Sequence, residues 1–389
     1  MHSPLSQLEL AEGATLSDYL GCTLPSTFSN FNAEYLAARE SVALFDANWH
    51  ATLTLSGPDR VRYLNAIVTN DIKSLSEGSG TLALLLNPQG HILAELEIYA
   101  LKEKLLLRTH ASVREKIIQV LEKFIIMDDV TLEDASDQLS SLALEGPQAA
   151  TIIAQSTGLS LEGFSEMAHV EVVIDGVPCH LIRRSHFSRP ASKSMGAEII
   201  APSEKLAIIW QNLRTATHAQ HGAPIGMEAL NALRLEAGIP CFPADFNDTV
   251  IPHEAALEAT HISFTKGCYT GQEIVERVRS RGHVNRRRVT VKFSTKIPPA
   301  PGTKLRAAAS TGTKDLRGSE LQLRQKDDAR SAHREQSEAR PPEVGYITSS
   351  AFSPAAATSI GMAYLRREHN APSTTVEVDT GGTATVIDR

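Results

Sequence analysis

Cysteine is scarce: the 389-residue chain has 4, at Cys22, Cys179, Cys241 and Cys268, and no two form a Cys-x-x-Cys pair. That spacing argues against a zinc knuckle or a self-ligated iron–sulfur cluster and leaves reduced thiols as the expectation. Long apolar runs are missing too. No window approaches the roughly 18 consecutive apolar residues of a membrane span, so no membrane partner is expected. No glycine-rich run ends in Gly-Lys-Ser/Thr, no Gly-x-Gly-x-x-Gly follows a strand pattern, and Gly-x-Ser-x-Gly is absent. Phosphate-loop, dinucleotide and nucleophile-elbow chemistry are thereby set aside. His253-Glu254 opens like a zinc-protease helix, but Leu257 stands where the second histidine is needed. His261 comes too late, so no metal site is expected. Positive charge is also short, at a formal net charge of -7; this argues against direct nucleic-acid binding and makes any basic site local. The first residues have neither a basic start nor an apolar core, and Glu9 and Glu12 fit a transit peptide badly. A cytoplasmic location is expected.

What is there points to two or three domains. Residues 31 to 45 read as a helix with Asn32 as cap and Tyr35, Leu36, Val42 and Phe45 among its apolar positions. Ala51 to Ser56 alternates as a strand, and Gly57-Pro58-Asp59 opens a helix facing inward through Val61, Leu64, Ile67 and Val68. Strands follow at Thr81 to Leu86, His91 to Ala100 and Leu105 to Thr109, then a helix with Val113, Ile117, Leu121 and Phe124 on one side. That order suggests a split β-α-β layout. A similar order recurs from Leu139 to Thr217, and Met227 to Ala237 reads as a helix stopped by Gly238 and Pro240. After Arg288 short strands and turns take over, as in a small β-barrel, with residues 307–342 as a disordered insertion. The fold class expected is α+β, divided at 1–135, 136–288 and 289–389.

One stretch carries reactive side chains close together: Lys266-Gly267-Cys268-Tyr269-Thr270-Gly271-Gln272-Glu273, continued to Arg277 and Arg279. Thr270 and Glu273 have capping-box spacing, so a helix is expected to start there. Cys268 would then sit just before free amides and the positive end of a helix dipole, with Lys266 nearby, and a lowered thiol pKa is expected. Gly267 and Gly271 keep the turn open to an approaching group. Arg277, Arg279, Arg281, Arg286, Arg287 and Arg288 follow. Such a cluster is either a solvated face or a site for an anion, since guanidinium forks match carboxylate and phosphate.

The same run, with Arg281-Gly282-His283-Val284-Asn285-Arg286-Arg287, resembles the signature of the YgfZ family of folate-binding proteins, relatives of the glycine-cleavage T-protein, an aminomethyltransferase. Leu44-Phe45-Asp46, Thr69-Asn70-Asp71-Ile72, Leu86-Asn87-Pro88-Gln89-Gly90, Leu233-Arg234-Leu235-Glu236-Ala237-Gly238 and Gly345-Tyr346-Ile347-Thr348-Ser349 resemble landmarks of that superfamily. The resemblance implies a three-domain ring, two α/β domains plus a C-terminal barrel, around an opening for tetrahydrofolate. It also implies iron–sulfur proteins or their assembly factors as partners, including enzymes that modify tRNA, with a reduced and possibly polyglutamylated folate as ligand.

On that resemblance Cys268 and Lys266 are the candidate catalytic residues, and Asn87, Glu95, Glu198, Arg234, Gly267, Tyr269, Gly271, Gln272, Glu273 and Arg277 the candidate folate-binding ones. Two departures stand out. T-proteins carry Asp-Asp where this chain has Ala94-Glu95, and their Tyr-Thr-Gly-Glu pterin stretch corresponds to Ser185-His186-Phe187-Ser188-Arg189-Pro190. Glu198 is the candidate substitute for the missing glutamate. Three functions stay open: a folate-dependent iron–sulfur accessory factor, a one-carbon transferase, and a non-catalytic docking protein.

Overall fold

The computed structural model describes residues 2–188, 194–308 and 341–388. Most of the expected 307–342 insertion lies outside them. Two mixed α/β bodies and a closed barrel pack together.

The first body is a five-stranded sheet ordered Gly80–Leu86, Ile92–Ala100, Lys104–His110, His50–Ser56, Thr131–Asp134. Alternation along Ile92–Ala100 divides its side chains between two faces. Leu96 and Ile98 join the core under the helices Arg60–Ile67 and Arg114–Phe124, while Glu97 and Tyr99 face the other way. Each such buried aliphatic contributes about 1.5–3 kcal/mol. The second body is a six-stranded sheet ordered His169–Ile174, Val177–Arg183, Met195–Pro202, Leu139–Gly146, Ala43–Asp46, Ala223–Pro224. Helices Ala149–Thr157 and Leu206–Ala219 cover one face around the fully buried Trp210. Helices Phe31–Glu40 and Met227–Ala237 pack on the other. The barrel closes through Arg286–Phe293, Thr358–Arg366, Glu343–Ser353, Lys304–Ala307, Thr375–Val378 and Thr383–Ile387.

Three expectations change. The helix expected over 31–45 stops at Glu40, and Asn30 rather than Asn32 caps it, its Oδ1 accepting the Ala33 amide at 3.0 Å. Ala43–Asp46 is a wholly buried strand paired with Leu139–Gly146. Its apolar residues satisfied a helical spacing, but a strand buried on both faces shows no alternation to betray it. Packing therefore crosses the expected division at 135. Residues 43–46 cross into the second sheet, and Phe242, Phe246, Val250, Leu257, Ile262, Tyr269 and Val275 return to the core of the first.

The helix after the Lys-Gly-Cys run is Gln272–Arg281 and has no side-chain cap. Gly271 caps it at φ +82°, a left-handed conformation that costs glycine nothing. A Cβ there would sit 2.7 Å from the Asn87 carbonyl oxygen, so the helix start is pressed onto the Asn87–Gly90 turn. Among the described residues no helix is long and apolar enough to cross a membrane.

Candidate functional site

Where the two sheets and the helix Met227–Ala237 meet, they form a cavity. Strand alternation supplies its polar wall: Glu95 and Glu97 from one strand, Arg108 and His110 from the next, and His50, cross-strand partner of His110. Trp49, Met227, Leu230 and Phe242 supply apolar surface, and Cys241 brings a thiol 3.8 Å from the Tyr19 hydroxyl. The mix of apolar wall with a few polar groups suits a small heterocyclic ligand.

Charges in the wall are paired in depth. Glu97 accepts from Arg184 Nε at 2.8 Å and lies 3.4 Å from Arg108 Nη1. Burial alone would raise its pKa, but Arg184 first, with further neighbouring positive charge that includes Arg108, overcomes it and holds the carboxyl at about 2. Arg108 also reaches Glu198 at 2.5 Å and His50 Nδ1 at 2.8 Å. A guanidinium can only donate, so His50 Nδ1 accepts and its proton sits on Nε2. Burial first, then Arg108, pushes His50 down to about 3; burial pushes His110 down to about 4. Both rings are neutral at pH 7. His110 Nδ1 accepts the Ser112 amide at 3.2 Å, so its Nε2–H is a donor, and that atom is buried with no hydrogen-bond partner among the described residues. An acceptor atom on a ligand would satisfy it.

On the other side of Glu95, Arg184, Ile239 and Pro240, which line both spaces, lies a second chamber against the barrel. Its walls include His261, Arg287, Arg288 and Asp388. Glu95 stands on the wall of both, with His261 Nε2 at 2.9 Å from its Oε1.

Residues 5–266 match the GCVT N-terminal domain and residues 314–389 the glycine cleavage T-protein C-terminal barrel domain. The chain belongs to the glycine-cleavage T-protein family. The aminomethyltransferase of Desulforamulus reducens is 30% identical over 273 residues, 70% of this chain and 73% of its own. That of Streptomyces avermitilis is 26% identical over 384 residues, 98% of this chain and 94% of its own. The crystal structure of the glycine cleavage system aminomethyltransferase T from Bartonella henselae superposes with a TM-score of 0.82 at 22% identity, over 100% of this chain and 97% of that one, a likeness of fold.

Within this T-protein fold, the residues singled out from the sequence separate into groups. Glu95 and Arg234 line the cavity. Arg234 is also tied to the fold, its Nη1 lying 2.5 Å from Asp245 Oδ2 and donating to the Ile239 carbonyl at 3.1 Å. Glu198 lies one layer behind the wall, fully buried between Arg108 and His186. In that position it backs the wall and is not among the residues lining the cavity.

The Lys-Gly-Cys run lies elsewhere. None of Lys266, Gly267, Cys268, Tyr269, Gly271, Gln272, Glu273 and Arg277 lines either chamber. Cys268 is exposed on the surface and does not face the hollow. Lys266 Nζ donates to the carbonyls of Asn65, Val68 and Asn70, closing the end of helix Arg60–Ile67. It serves the backbone, and the arrangement expected to activate the thiol is missing on both counts, the lysine and the capping box. Tyr269 is buried in the first core; Glu273 and Arg277 are exposed. Asn87 Oδ1 accepts the His91 amide at 2.9 Å, a turn role.

Sequence reasoning missed His50, Glu97, Arg108, His110, Arg184 and Cys241. A signal existed for three of them: Glu97 pairs with Glu95, and Arg108 with His110, as polar residues two apart in largely apolar strands. Such pairs share one face of a sheet.

Proposed function

We propose that this T-protein family member binds a reduced folate in the cavity and transfers a one-carbon unit, with Glu95 beside the folate nitrogen that receives it. The observation carrying this reading is the place of Glu95, on the wall of both chambers and held by His261 at 2.9 Å. A nitrogen that gains an electrophilic carbon builds positive charge and loses a proton. A positioned carboxylate stabilises the first and accepts the second. Neutral His50 and His110 present N–H donors to ligand acceptor atoms, and the apolar wall covers ring faces. The relatives named aminomethyltransferase support an aminomethyl group on a carrier as the donor.

Calorimetry with tetrahydrofolate, beside turnover with a lipoyl-bound aminomethyl donor, tests it. Glu95→Gln should cut turnover by about 10²–10⁴-fold while affinity changes less than about tenfold. Failure of the wild-type chain to bind any reduced folate would end this reading.

A second reading rests on the exposure of Cys268. As a YgfZ-type cytoplasmic accessory factor for iron–sulfur proteins, the chain would meet its partner through that thiol, on a surface separate from the folate cavity. Cells carrying Cys268→Ser would then lose iron–sulfur enzyme activity while the purified protein kept its folate affinity; unchanged cellular activity would remove this reading.

A further inference from the structure

Arg288 makes no ion pair within 4.0 Å among the described residues, and Asp245 is the carboxylate that acts on it most. Its Nε donates to the Ala255 carbonyl at 2.9 Å and its Nη1 lies 3.2 Å from Met362 Sδ, while Nη2 has no hydrogen bond among the described residues. The neighbouring buried carboxylate, Asp245, is already committed: one oxygen to Arg234 at 2.5 Å, the other to the Thr348 and Ser349 hydroxyls. Arg287 has Glu258 at 2.7 Å, and Arg184 has Glu97 at 2.8 Å. Asp388, on the same chamber wall, makes no ion pair with Arg288 within 4.0 Å. Burial pulls the Arg288 pKa below the usual guanidinium range, the direction expected of a buried cation without an ion pair. A partly buried guanidinium of this kind is strongly stabilised by an incoming carboxylate, which it can grip with two parallel N–H donors.

We infer that Arg288 is the carboxylate-binding residue of the second chamber, positioned to select ligands that carry an acid group beyond the ring held in the first. The inference rests on the folate reading for the ring, because the two spaces are adjacent and share Glu95, Arg184, Ile239 and Pro240 in their walls. The carboxylate has two possible sources with the same chemistry: the glutamate tail of the folate itself, or a separate small acid that enters from the barrel side. Arg287, already paired with Glu258, lines the same wall and adds to the field there.

The test is calorimetry on the full chain, wild type against Arg288→Gln and Arg288→Lys, with tetrahydropteroate, tetrahydrofolate, its tri-γ-glutamate and free glutamate. The expected result is binding of the glutamate-bearing folates about tenfold or more tighter than tetrahydropteroate. Arg288→Gln should erase that difference without moving tetrahydropteroate affinity, and Arg288→Lys should keep part of it. If tail and no-tail folates bind alike, Arg288-dependent binding of free glutamate assigns the site to a separate acid and still supports the inference. It is overturned if neither the tail advantage nor free-acid binding changes in Arg288→Gln. Should that variant fail to fold, salt dependence in the wild type decides: a tail advantage unaltered between about 50 and about 500 mM salt overturns the inference. A wild-type chain that binds no folate but binds free glutamate through Arg288 would defeat the folate reading alone.

Discussion

Arg234 on the helix Met227–Ala237 and Asp245 in the following segment form a buried ion pair at 2.5 Å. Asp245 also accepts from Thr348 and Ser349 of the barrel, each at 2.5 Å, and its carbonyl takes the Tyr364 hydroxyl at 3.0 Å. One carboxylate thus ties together the cavity wall and the barrel. Asp245→Ala should cost about 3–5 kcal/mol in denaturant unfolding, because it strands the Arg234 charge without a partner. A cost under about 1 kcal/mol would show that the pair does not hold this junction.

The neutral histidines of the cavity give stability a pH dependence of definite sign. His110 goes from an ordinary value of 6.5 to about 4 on folding. The unfolded chain therefore binds more protons between those values, and stability present above pH 6.5 is lost as pH falls toward 4. The His110 shift is of order 3 kcal/mol at full expression, and His50, at about 3, adds in the same direction. Urea unfolding of wild type and His110→Gln at pH 7.5 and pH 5 measures it. The variant should lose less stability on acidification; an equal loss would refute the assignment.

Lys266 should behave as a structural residue. Lys266→Met leaves the carbonyls of Asn65, Val68 and Asn70 without their donor, at a cost of about 1–3 kcal/mol. The iodoacetamide rate of Cys268 in the folded variant should stay within about twofold of wild type, since the ammonium is engaged with those carbonyls. A drop of tenfold would restore the lysine to a role in thiol activation.

Gly271→Ala should loosen the helix Gln272–Arg281. The substitution places a Cβ 2.7 Å from the Asn87 carbonyl oxygen in a backbone at φ +82°. The expected destabilisation is about 1–3 kcal/mol, with faster limited proteolysis between residues 266 and 282. Unchanged proteolysis would mean the turn can shift to admit the methyl group.

Most strands and helices were legible from periodicity. The strand Lys104–His110, the hairpin His169–Ile174 with Val177–Arg183, and the helix Met227–Ala237 with its left-handed Gly238 stop all follow local rules. Ala43–Asp46 was not legible, because a strand inside a sheet packed on both faces presents no polar side. The site was read less completely than the fold. Glu95 was legible through the family pattern, while the Lys-Gly-Cys run, dense in reactive side chains, lies outside the cavity with Cys268 exposed. His50 and His110 become neighbours only through pairing of strands some sixty residues apart, His50–Ser56 and Lys104–His110. No local pattern encodes which isolated histidines will face each other.

The threading of the chain sets the order in which it can become whole during synthesis. The five-stranded sheet is complete in sequence once Asp134 has emerged, yet Phe242, Phe246, Leu257, Tyr269 and Val275 are still missing from its interior. A nascent chain must hold that surface uncovered for well over a hundred residues, so premature termination anywhere before Val275 yields a fragment prone to aggregation and not a working half.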